Sequence, residues 1–75
     1  MNLKRGTQVI GVWGAMVPES HGYICSMEDT NQGTAVDIMW DNGCVYHVML
    51  NQIQNDYLEN DQVGFYVNPF NNELM

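Results

Sequence analysis

Basic residues are almost missing from this chain of 75 residues: Lys4 and Arg5 stand against nine acidic ones, for a formal net charge of −7. That scarcity argues against nucleic-acid binding, because phosphate affinity comes mainly from lysine and arginine displacing counterions. Two adjacent cations near the N-terminus make no stripe for a phosphate backbone to follow. Cysteine is scarce too. Cys25 and Cys44 are the only two, without the dense spacing of a secreted scaffold, and no signal-peptide pattern precedes them, so two free thiols in a reducing cytoplasm are expected. No apolar run approaches the roughly 20 residues of a membrane helix, and no membrane role is expected. Also missing are an internal repeat, a helix-period segment longer than a turn, and any glycine motif that cradles phosphates.

What is present is alternation. Thr34 to Met49 holds two period-two runs around Asn42-Gly43, the pair that a two-residue type I′ turn requires, since both central positions need positive φ. On the incoming run Val36, Ile38 and Trp40 share one face, and Ala35, Asp37 and Met39 the other. On the outgoing run Cys44, Tyr46 and Val48 alternate with Val45, His47 and Met49, and both faces are apolar enough that the pattern leaves the inward one open.

The rest of the chain supplies further short strands. Thr7 to Trp13 sets Gln8, Ile10 and Val12 against Val9, Gly11 and Trp13, with Gly11 marking a weak point or a bulge. Gly14 to Gly22 contains a proline between two glycines and reads as a long irregular loop that presents Met16, Val17, Glu19 and His21, and loops of this kind tend to carry binding function. Tyr23 to Glu28 is expected as a second strand, with Tyr23, Cys25 and Met27 on one face. The polar run Asp29 to Gly33 turns the chain, Leu50 to Gln54 suits one 3-10 turn, and Asp56 to Glu59 is expected as a fifth strand.

This order of strands and turns resembles the SH3-like barrel, and within it the Tudor and KOW-like group. Gly11 to Trp13, Gly22-Tyr23-Ile24 and above all Val36 to Gly43 carry the likeness, the last being similar to a hairpin segment in mind-bomb-type ubiquitin ligases. The expected fold is therefore all-β: a small five- to six-stranded barrel spanning residues 1–60, with a long first loop and a 3-10 turn before the last barrel strand. The resemblance also implies a candidate aromatic cage for a methylated lysine or arginine, formed by Trp13, Tyr23, Trp40 and Tyr46 with Asp41 or Glu19 as the anion. Against the cage stands burial, because a barrel this short needs its largest side chains, Trp40 and Tyr23 first, inside.

Catalytic and metal chemistry find little support. His21, Cys25, Cys44 and His47 carry the right atoms for zinc, yet residues four apart on a strand lie about 13 Å apart and cannot share an ion. Cys44 and His47 differ by an odd number and point to opposite faces. The acids are dispersed over turns and strand edges. No enzyme activity, metal or cofactor is expected.

Residues 61–75 contain Val63, Phe65, Tyr66, Val67 and Phe70, too apolar to stand in water. A chain of this size buries only roughly 60% of its unfolded surface and gains from extra contacts. Either the segment folds back as a sixth strand, Gln62 to Val67, or it forms a homodimer through Val63, Phe65, Tyr66 and Phe70, and the dimer is the preferred expectation. Asn68-Pro69-Phe70 looks like a short endocytic sorting motif, but reads more simply as a turn.

Three functions compete. A non-catalytic module would grip a protein partner through Trp13, Met16, Glu19, His21, Tyr23 and Tyr46. An acidic decoy would occupy a basic nucleic-acid-binding surface. A small enzyme or metal-binding subunit comes last. The module is preferred, and a composition rich in Asn and Gln but poor in Lys suggests a small prokaryotic or phage accessory protein.

Overall fold

The alternating segments form six strands of one sheet in a computed structural model that describes residues 3–59 and 62–69. They are β1 (Gln8–Trp13), β2 (Ser20–Thr30), β3 (Gly33–Trp40), β4 (Val45–Met49), β5 (Ile53–Gln54) and β6 (Val63–Val67), with a 3-10 turn at Leu50–Gln52. Across the sheet the order is β4-β3-β2-β1-β6-β5. All neighbours are antiparallel except β5 and β6, which run parallel.

The sheet is strongly curled into a half-barrel, and its aromatic side chains show how far. β4 and β6 lie four strand positions apart, about 19 Å in a flat sheet at about 4.8 Å per strand. Yet the rings of Tyr46 on β4 and Phe65 on β6 have centroids 6.5 Å apart. The concave face holds Val9, Ile24, Val36, Ile38, Trp40, Ile53 and Val67, all buried. The all-β class, the barrel-like curl and the 3-10 turn are as expected from the sequence.

The central hairpin differs from expectation by one residue, and the difference decides which face of β4 points inward. Trp40 N–H donates to the Cys44 carbonyl at 2.8 Å, and Gly43 N–H to the Trp40 carbonyl at 2.9 Å. Asp41, Asn42 and Gly43 thus make a three-residue loop. Only Gly43 has positive φ, +91°, so this is a type I turn followed by a glycine bulge rather than a type I′ turn. Asn42 is retained for another reason: its side-chain oxygen accepts from Cys44 N–H at 3.0 Å. The resulting register sets Ile38 opposite Tyr46 and Val36 opposite Val48, which turns Tyr46 and Val48 toward the core and His47 outward beside Asp37. A two-residue loop would have reversed every one of these.

Strand β2 carries a second correction. Its pairing with β3 slips between Ile24 and Ser26, making Cys25 the extra residue of a β-bulge. Gly22 and Ile24 face inward before it, and Met27 after it. Tyr23, expected in the core, is therefore outside and 45% exposed. β2 also begins earlier than expected, since Ser20, His21 and Gly22 pair with Gly11, Ile10 and Val9, and the irregular loop shrinks to residues 14–19.

The C-terminal segment takes the fold-back alternative, a sixth strand, at Val63–Val67 against the expected Gln62 to Val67. What differs is its place: β6 is an interior strand between β1 and β5. The expected strand at Asp56 to Glu59 is absent, and Ile53–Gln54 extends directly from the 3-10 turn instead. Of the residues expected at a dimer contact, Tyr66 is buried and Phe65 half-buried in the chain's own sheet, Val63 is 72% exposed, and Phe70 lies outside the described residues. Asn68 is buried, its N–H donating to the Gln8 carbonyl, and Pro69 sits in a turn; the third residue of the expected Asn68-Pro69-Phe70 turn lies outside the described residues.

Candidate functional site

Parallel neighbours cannot be joined by a tight turn, so the chain between β5 and β6 must cross a face of the sheet. It crosses the convex one. There Ile10 and Val12 of β1 and Tyr66 of β6 project outward, and Leu58 from the crossing segment is buried with them in a second, smaller apolar cluster. Gly64 permits this approach, because a Cβ at that position would lie 3.0 Å from a Leu58 methyl. The β1–β2 loop, residues 14–19, lies on the other side of Val12.

Between the loop and the crossing segment runs an open groove of about 420 Å³, within the size range of small-ligand sites. Its floor is Val12, Leu58 and Tyr66; Ala15 to Glu19 form one wall and Tyr57 the other. The walls carry three large exposed apolar side chains. Met16 is 93% exposed, Val17 50% and Tyr57 66%, and scattered exposed apolar residues need no explanation whereas contiguous ones mark contact sites. Tyr57 stands edge-on to Tyr66, ring centroids 5.4 Å apart. Glu19 closes one end, its carboxylate 3.7 Å from His21 Nε2. The Tyr66 hydroxyl is held above its ordinary value of 10.0 first by burial, then by the Glu19 carboxylate and by Tyr57. A carboxylate and two phenols thus meet at the edge of an apolar floor.

No protein-family model, curated protein or solved structure matches this chain.

The six residues expected to bind a partner do not form one surface. Met16 and Glu19 line the groove. His21 and Tyr23 line a separate, more polar depression of about 380 Å³ with Gln8 and Asp41. Trp13 and Tyr46 join Trp40 and Phe65 in a cluster on the concave side, where all six ring pairs have centroids 5.6–6.5 Å apart.

That cluster brings together three of the four expected cage residues and adds Phe65, but its rings are spent on one another, edge-to-face in every pair except the tilted Trp40–Phe65 at 34°, and Trp40 is only 3% exposed. Trp13 Nε1–H donates to Ser20 Oγ at 2.8 Å. The buried Trp40 Nε1–H has no hydrogen-bond partner among the described residues. The cluster joins β4 to β6 across the curl.

Among the described residues no group of three or more His, Cys, Asp or Glu side chains is placed to hold a metal ion. Cys25 sits in the bulge, Cys44 is exposed in the turn, and both are free thiols. Among the described residues, no helix is long and apolar enough to cross a membrane. Sequence reasoning found one wall of the groove and missed the other. Tyr57, Leu58 and Tyr66 reach Met16 only through the β1–β6 pairing, which no local pattern announces.

Proposed function

We propose that this chain is a non-catalytic protein-interaction module whose contact surface is the convex groove beside the 14–19 loop. The observation that carries this reading is the concentration of exposed apolar side chains, Met16, Val17 and Tyr57, around one apolar floor. The fold reading that accompanies it is an SH3-like barrel of the Tudor and KOW-like kind, supported by the curl, the hairpins and the 3-10 turn. In this chain β1 pairs with β6 and not with the short strand that follows that turn. The setting is a small accessory protein in a reducing cytoplasm, a reading that two free thiols support.

Affinity capture from the native host tests the module. The wild-type chain and Tyr23→Ala are expected to retain the same partner, while Met16→Ala combined with Tyr57→Ala loses it. Retention by the groove variant and loss by Tyr23→Ala would reject the groove as the contact surface.

The charge of −7 favours one competing reading, the acidic decoy for a basic nucleic-acid-binding protein. A decoy held by exposed charge loses its partner as salt rises past the point where the screening length falls below about 8 Å, whereas an apolar grip persists.

A further inference from the structure

The groove is apolar along its floor and acidic at its edge. Glu19 lines it, and Asp56 and Glu59, both exposed, flank the Tyr57-Leu58 pair in the chain. His21 has its Nε2 3.7 Å from the Glu19 carboxylate and offsets it only when protonated. Lys4 and Arg5 precede β1, and Val12 lies near its far end, about 17 Å from Thr7 by strand rise, roughly two screening lengths at physiological salt. With the His21 imidazole neutral the field at the groove is that of its own acids, and a partner of opposite charge gains both on approach and in place.

We propose that the groove takes an extended segment of a partner protein in which an arginine or lysine neighbours an apolar residue, with the apolar side chain on Val12, Leu58 and Tyr66 and the cation against Glu19. This rests on the reading of the groove as the contact surface and names what fills it. An arginine suits the site on two counts. Its aliphatic stem can lie along the apolar floor while the charged head stays wet at the rim, and its planar head can both pair with a carboxylate and stack on a phenol face. Tyr57, two-thirds exposed and braced edge-on by Tyr66, offers that face. An acidic or purely apolar segment uses the floor but leaves Glu19 unanswered.

The test is a titration of the isotope-labelled full chain, followed by amide chemical shifts, with three short, terminally blocked peptides that alternate leucine with arginine, glutamine or glutamate. The arginine peptide is expected to move the amides of Met16, Val17, Tyr57 and Tyr66 and to bind about threefold or more tighter than the glutamine peptide, the span of an exposed ion pair. Glu19→Gln is expected to remove that advantage, so that the arginine and glutamine peptides bind the variant alike, and the glutamate peptide is expected to bind the wild type weakest. Equal binding of the three peptides at these amides overturns the cationic partner and leaves the groove standing as a contact surface. Peptide-induced shifts that avoid these amides, or none with any peptide, reject the groove as well. Shifts at the same amides on raising protein concentration alone, without peptide, assign the groove to a second copy of the chain and also overturn the proposal.

Discussion

Ending the chain after Gln62 removes β6, and the consequence can be worked from the burial of what is lost. Tyr66 and Val67 are each 4% exposed and Phe65 is half-buried against Trp13 and Trp40. At about 1.5–3 kcal/mol per fully buried large side chain, discounting Phe65, the loss is about 4–8 kcal/mol. A domain of 75 residues has in total about 4–11 kcal/mol, at about 0.05–0.15 kcal/mol per residue. Removal also uncovers Ile10 and Val12 on the convex face and leaves Ile53 without its parallel partner. The truncated chain is therefore expected to show no cooperative transition when circular dichroism is followed through urea. A gentler variant keeps the reasoning measurable: Val67→Ala is expected to lower stability by about 2 kcal/mol, a midpoint shift of about 2 M if the urea slope is near 1 kcal/mol/M. A truncated chain that still unfolds sigmoidally at the full-length midpoint would refute the placement of β6 inside the sheet.

Two glycines separate strain from collision. A Cβ at Gly22 would collide with the Met39 carbonyl oxygen and lie 2.7 Å from the Trp40 ring, so Gly22→Ala is expected to cost about 1–3 kcal/mol or more through overpacking. Gly43 has open space around it but φ of +91°, so Gly43→Ala is expected to cost about 1–2 kcal/mol through backbone conformation alone; urea midpoints with the reverse ranking would contradict the hairpin geometry. The raised pKa of Tyr66 also has a stability consequence. The folded state holds this proton more tightly than the unfolded one, so the contribution is intact below the ordinary value of 10.0 and is lost as pH climbs through the higher folded value. Glu19→Gln is expected to bring the Tyr66 titration down toward the ordinary value, followed by tyrosinate absorbance in the variant and wild type; an unchanged titration would mean that Glu19 does not act at the groove.

Strands β1 to β4 and β6 were legible in the sequence as short apolar runs bounded by turn residues, and the 3-10 turn because the segment after Met49 is too short for anything longer; β5 was not, since a strand was expected at Asp56 to Glu59 and it forms at Ile53–Gln54 instead. Registers were not. Asn42-Gly43 satisfies a two-residue turn on paper, but the chain places only glycine at positive φ and closes the loop at Trp40 and Cys44, shifting β4 by one. The bulge at Cys25 has no sequence mark either. It shifts the inward face from Ile24 to Met27 and puts Tyr23 outside. For the site, the exposed 14–19 loop could be recognised from Pro18 and its flanking glycines. Its opposite wall could not, because Tyr57 and Tyr66 are brought to it by pairing between the two ends of the chain.

A photo-cross-linking side chain at position 16 tests the contact surface most directly, with position 45 on β4, the edge strand three positions from β1, as its control. Met16 is 93% exposed and Val45 39% exposed, so both sites accept the substitution without disturbing the core. The account predicts a partner adduct from position 16, none from position 45, and persistence of the adduct from about 0.05 to about 0.5 M salt, over which exposed charges become screened. An adduct from position 45 alone, or one from position 16 that vanishes with salt, would contradict it.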